Sequence, residues 1–186
     1  MSSYKLPPIA DVPSLPTTER IALLDALFEP STSLHTLSLD LLHTQTFSSY
    51  NDLIASIGVQ LIDLAESAST SDTEWLDKIL GAHPRLGAKR VESAQSAAEQ
   101  AQLNTGGAEE AEKLRALNEE YEKKYPGLRY VVFVNERSRP VIMEDMQERI
   151  SRGDIDLERK EAIKVRCYNS KYQKRQAVNP RIPGHV

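Results

Sequence analysis

The feature that most constrains this chain is an apolar recurrence at three- and four-residue spacing. From Tyr50 onward, Leu53, Ile54, Ile57, Leu61 and Leu64 fall on one stripe of a helix with 3.6 residues per turn. A strand, whose side chains alternate between two faces, cannot gather them on one. The same spacing returns in Ile21, Leu24, Leu27 and Phe28; in Leu34, Leu37 and Leu41; in Trp75, Leu76, Ile79 and Leu80; in Ala111, Leu114, Leu117 and Tyr121; and in Ile142, Met146 and Ile150. Leu128 to Val134 is the β-prone exception, and with no second strand to pair it predicts extended coil rather than a sheet.

The start and stop signals divide these stripes into helices. Thr17 or Thr18 caps the first, and Pro30 ends it. Ser71 with Glu74 forms a capping box for the fourth. That helix should stop at His83, because the residue before Pro84 is pushed out of the helical region. Ser96 to Leu103 reads as helix, broken by Asn104-Thr-Gly-Gly. Ala108 to Tyr125 follows, with Glu109/Lys113, Glu119/Lys123 and Glu120/Lys124 four apart on its outer face, and Pro126-Gly127 ends it. Pro140 opens the next helix and Arg152-Gly153 closes it. Asp154 or Asp156 then caps a final helix to about Gln176. The expectation is an all-α, single-domain bundle of about eight helices over residues 17–176. An extended N-terminal arm of residues 1–16, with Pro7, Pro8, Pro13 and Pro16, precedes it, and an irregular tail of residues 177–186 follows.

Composition limits the function classes. The 186 residues, 40% hydrophobic and 27% charged, suit one packed core. The longest apolar run, Tyr130 to Val134, is too short for a bilayer, and no signal-like run stands at the N-terminus. Cys167 is the only cysteine, so neither an intrachain disulfide nor a thiolate metal cluster can form. A soluble protein of a reducing compartment is expected, with the cytoplasm as default; the ending Gly184-His185-Val186 lacks a Ser-Lys-Leu-type peroxisomal address. Net charge is −4. From Ala162 onward, however, Lys164, Arg166, Lys171, Lys174, Arg175 and Arg181 stand without an acid, leaving −10 for the rest of the chain. With Tyr168 and Tyr172 interleaved, that end could meet nucleic acid. The simpler reading is a last helix whose cations complement its own dipole and the acidic body, so nucleic acid is not the expected partner.

The common catalytic patterns are missing: no glycine-rich phosphate loop, GxSxG, HExxH or Cys/His metal spacing. An enzyme built on this sequence would work with side chains alone. Of His35, His43, His83 and His185, only His83 has an evident geometric constraint. A histidine in a helix-to-loop corner can anchor one ring nitrogen and present the other, with a pKa near neutrality. It can equally just end the helix, its ring resting on a carbonyl. Ser96-x-x-Glu99 is a capping box, and the helix start it marks can also receive an anion.

Taken in order, His83-Pro84-Arg85-Leu86-Gly87, Ser96-x-x-Glu99-Gln100, and Asn118-x-x-Tyr121 followed by Lys124-Tyr125-Pro126-Gly127 resemble the linked signature of the 2-oxo-4-hydroxy-4-carboxy-5-ureidoimidazoline (OHCU) decarboxylases. The His-Pro-Arg-Leu-Gly form is most similar to fungal members. The likeness runs from about Leu15 to about Arg175, taking in Leu27-Phe28-Glu29 and the stretch from Arg149 to Ala162. It implies an all-helical homodimer that converts OHCU to (S)-allantoin and CO2 in urate breakdown, without metal or organic cofactor. His83 would be the general acid/base beside the departing carboxylate, and Glu99 would hold the ring and ureido nitrogens and assist proton transfer. Ser96 and Gln100 would hydrogen-bond the substrate, and Pro84 would shape the pocket. The family also places an arginine in the last helix to grip the substrate. A gapless alignment puts Gln173 there, and a shift of one or two residues brings in Lys174 or Arg175, of which Arg175 is the expected cation. The competing expectation is a non-catalytic interaction module of the same fold, using its basic last helix.

Overall fold

A computed structural model describes residues 4–87, 107–133 and 137–178. They form seven α-helices: α1 (Thr17–Leu27), α2 (Thr32–Thr44), α3 (Tyr50–Glu66), α4 (Thr70–Leu80), α5 (Ala108–Lys124), α6 (Arg139–Arg152) and α7 (Ile155–Val178), preceded by a 3-10 turn at Ile9–Ser14. No strand occurs among the described residues, so the all-α expectation holds. The helix expected at Ser96 to Leu103 lies outside them.

The periodicity of α3 is realised directly. Leu53, Ile54, Ile57 and Leu61 are fully buried, and the helix lies against both α4 and α7. Gly58 is what lets α7 come so close, since a Cβ there would stand 3.0 Å from Cys167 Sγ. On α2 the buried set is Leu34, Ser38 and Leu42, with Leu37 and Leu41 only partly covered. Leu34 is common to both stripes, and the two later positions are each displaced by one residue, or about 100° around the helix. Burial of Ser38 is possible because its hydroxyl donates to Gln60 Oε1 at 3.0 Å.

Several local signals are overridden by tertiary contacts. The proline-rich arm is not simply extended: Ile9–Ser14 winds into a 3-10 turn that buries Val12 completely. Tyr50 Oη donates to Pro7 O at 2.7 Å and Arg20 Nη1 to Pro13 O at 3.0 Å, pinning the arm to the bundle. Pro16, not Thr17 or Thr18, occupies the α1 cap position. Ser69 precedes α4, leaving the Ser71/Glu74 box inside the helix and unused. Trp75 is 39% exposed because its indole N–H reaches Ser33 O at 3.1 Å, and Ala111 is exposed as well. On α5, Glu109 pairs with Lys113 at 2.8 Å as predicted, whereas Glu119 is engaged by Arg115.

The corner between α6 and α7 holds a buried network of hydrogen bonds and ion pairs. Gly153 closes α6 at φ +69°, a left-handed conformation suited to glycine. Asp154 Oδ1 accepts from the Asp156 and Leu157 amides at 3.1 and 2.9 Å, as a helix cap should. Just beyond it, Glu158 is fully buried and is held by Arg149, Arg152 and the Tyr121 hydroxyl. Arg149 Nη1 also donates to Val131 O at 3.0 Å. That bond supplies a partner to a buried carbonyl in the 128–133 stretch, which is extended but unpaired with any strand. No described helix is long and apolar enough to cross a membrane.

Candidate active site

His83 stands at a corner rather than on a helix. α4 stops at Leu80, and a turn at Gly81 and Ala82 carries the chain to His83, three residues beyond the helix it was expected to end. The signature residues that follow hold this corner in place. Asn118 Nδ2 donates to Leu86 O at 3.0 Å and to Leu114 O at 2.9 Å. Arg85 makes a two-nitrogen contact with Glu122, its Nε donating to Oε1 at 2.6 Å. Asn118 and Tyr121 thus act as scaffold: the first ties the corner to α5, and the second ties α5 to Glu158 of α7.

From this corner the His83 ring faces a small interior space lined by Leu27, Phe28, Glu29, Arg166, Asn169 and Ser170. Three elements converge there: the end of α1, the corner itself and the inner face of α7. The space measures about 20 Å³, room for roughly one water. His83 Nδ1 lies 3.7 Å from Glu29 Oε1, too far for a hydrogen bond, and is buried without a partner among the described residues. Among the described residues, all three guanidinium nitrogens of Arg166 are likewise buried and unpartnered, as is Asn169 Oδ1. Buried polar atoms are rarely left this way. Here they gather around one cavity.

The electrostatics follow from burial. Desolvation, helped by the charge on Arg166, pushes the His83 pKa down to about 3, so the imidazole is neutral at physiological pH. This departs from the near-neutral pKa expected of a histidine in a helix-to-loop corner, because the ring is buried and shares its cavity with a cation. Burial also lowers Arg166, to about 10, opposed by the negative charge of Glu29. Arg166 therefore remains a cation.

Of the residues singled out from sequence, His83 lies in this cavity, while the neighbouring Pro84 is partly buried and not among the residues lining it. Ser96, Glu99 and Gln100 lie outside the described residues. Arg175 is not brought to His83. It is exposed, and nine residues from Arg166 is about half a turn out of phase, which puts it on the opposite side of α7. Lys174 instead reaches Asn51 Oδ1 at 3.3 Å. Gln173, seven residues from Arg166, shares its face two turns further along. The buried cation that sequence spacing missed is Arg166. The available signal was its place in the inward stripe of α7, Glu158-Ala162-Ile163-Arg166-Ser170, where a charge requires a reason.

Comparison with known proteins bears on the family of the chain. No curated protein matches the chain. A model of the OHCU decarboxylase family matches residues 13–167, a span that includes Glu29, His83 and Arg166 and favours an enzyme over a bare interaction module. With most of its length so matched, the chain belongs to the OHCU decarboxylase family, the lyases that decarboxylate OHCU in urate and purine breakdown.

Proposed function

We propose that OHCU is decarboxylated against His83 and Arg166, with the substrate carboxylate held in the cavity between α1, the His83 corner and α7. The observation that carries this is the buried guanidinium of Arg166, with three nitrogens lacking a partner. Buried guanidinium nitrogens without hydrogen-bond acceptors are costly, and although Glu29 lends a negative charge nearby, a carboxylate entering the cavity supplies the missing acceptors. The cavity, about 20 Å³, can take in part of that group at most, so the imidazoline ring lies outside it.

The chemistry then needs little beyond placement and one proton relay. The bond from the ring carbon to the carboxylate breaks and CO2 leaves. The electron pair forms a ring C=C bond, while the adjacent C=N pair moves to nitrogen, which takes up a proton. The resulting enol loses its hydroxyl proton as the carbon bearing the ureido group gains one. A base must therefore act before an acid, and a neutral imidazole can do both in turn. His83 accepts the hydroxyl proton and delivers a proton to one face, which fixes the (S) configuration of allantoin. Arg166 holds the carboxylate, the role first expected of Arg175. By the family resemblance, Glu99 binds the ring and ureido nitrogens, Ser96 and Gln100 add hydrogen bonds, and Pro84 shapes the wall.

Arg166→Met is expected to lower kcat/KM for OHCU by roughly 100-fold or more, a charged hydrogen-bonded contact being worth several kcal/mol in a dry site. Arg175→Met should stay within about threefold of the parent. The reverse ranking would refute the assignment. We further infer a cytoplasmic homodimer: the resemblance implies the dimer, and the free Cys167 suits a reducing compartment. Sedimentation at twice the 20.8 kDa chain mass would support the dimer, and a monomer at micromolar concentration would exclude it.

A further inference from the structure

Glu29 stands buried between the C-terminal end of α1 and the N-terminal end of α2. It follows Phe28, the C-terminal cap of α1, at a helix end that carries no basic residue in its last turn. The partial negative charge of that end repels an anion. The side chain is only 6% exposed, so solvent does little to offset the repulsion. The general charge of Arg166 explains why an anion is tolerated in this neighbourhood. It does not explain why Oε1 is 3.7 Å from His83 Nδ1, a nitrogen that is itself buried and without a partner.

We propose that Glu29 is a positioning residue for His83: its carboxylate takes the Nδ1 proton as donor, fixing the tautomer that leaves Nε2 bare toward the substrate. The present 3.7 Å gap closes with a shift of under about 1 Å, and contacts of this kind often tighten only when substrate is bound. The consequence is directional. With Nδ1–H committed to Glu29, Nε2 is the only ring nitrogen that can accept the hydroxyl proton. When it does, the imidazolium is stabilised by the carboxylate at its back. Glu29 touches neither substrate nor reacting carbon.

This inference rests on the decarboxylation assigned to His83, but its test does not. In protein carrying 15N-labelled histidine, the His83 ring, identified by the signals lost in His83→Gln, is expected as the Nδ1–H tautomer, more strongly so with allantoin bound. Glu29→Gln keeps the volume and removes the charge. It should weaken that preference and lower kcat for OHCU about tenfold or more, with KM within about twofold. A Glu29 that serves only as counter-ion to Arg166 would instead change KM and thermal stability and leave the tautomer as it was; that result overturns the proposal. An Nε2–H tautomer in the unmodified protein overturns it too, without requiring any variant to fold. If the tautomer is as expected but His83→Gln retains full activity, the positioning contact stands and the catalytic reading of His83 fails.

Discussion

A single inward-facing charge decides how the site is read. His83 could be found in the sequence because Pro84 forces a corner, and a histidine in a corner has a constrained ring. Arg166 could not, because three- and four-residue spacing marks which face of α7 is inward but says nothing of what waits there. Matching the family pattern by count pointed to Gln173 and thence Arg175, while the guanidinium in the cavity sits two turns earlier on the same face as Gln173. The burial of His83 has a measurable cost. Its folded pKa, about 3, is below the ordinary 6.5, so between these values the unfolded chain binds a proton that the folded chain refuses. Stability is unaffected above pH 6.5 and declines as pH falls toward 3. Between pH 7 and 5 the parent should lose on the order of 2 kcal/mol more than His83→Gln, read as a larger shift in urea midpoint. Equal losses would mean that the ring titrates normally.

The helices themselves were legible where apolar spacing dominated and misread where a local signal met a tertiary demand. α3 and α6 follow their stripes because nothing competes with burial. α4 ignores its capping box and ends before His83, while Trp75 leaves the core stripe to bond Ser33. A capping box is worth about 1 kcal/mol, too little to set a boundary against packing. The α6–α7 corner depends on the opposite kind of feature, a buried ion network that sequence spacing does not reveal. Glu158 is fully enclosed with Arg149 and Arg152 on its two oxygens, and removing it leaves Arg149, 8% exposed, with only the longer 3.6 Å contact to Asp145 as an ion pair. Glu158→Ala should cost roughly 3–5 kcal/mol in chemical denaturation. A loss below about 1 kcal/mol would show that the network adds little.

At the scale of the molecule, the all-α class was readable from periodicity alone, and the order of helices from their punctuation. What the sequence withheld was which helix faces meet. The arm illustrates this: proline content predicts an extended segment, yet Val12 is enclosed and Tyr50 holds Pro7, because a bundle with an open end gains by burying any apolar residue within reach. The site has the same origin. The end of α1, the corner after α4 and the inner face of α7 are far apart in sequence, and only their packing brings Glu29, His83 and Arg166 around one cavity.

That convergence is tested most directly by following OHCU, freshly generated, by circular dichroism in the presence of the protein. The account predicts rapid formation of optically active (S)-allantoin with the parent chain. His83→Ala should fold normally and slow the reaction by about 10²- to 10⁴-fold, leaving the slow spontaneous decay that gives racemic product. Rapid, stereospecific turnover by His83→Ala, or equal and achiral decay with and without the parent protein, would contradict it.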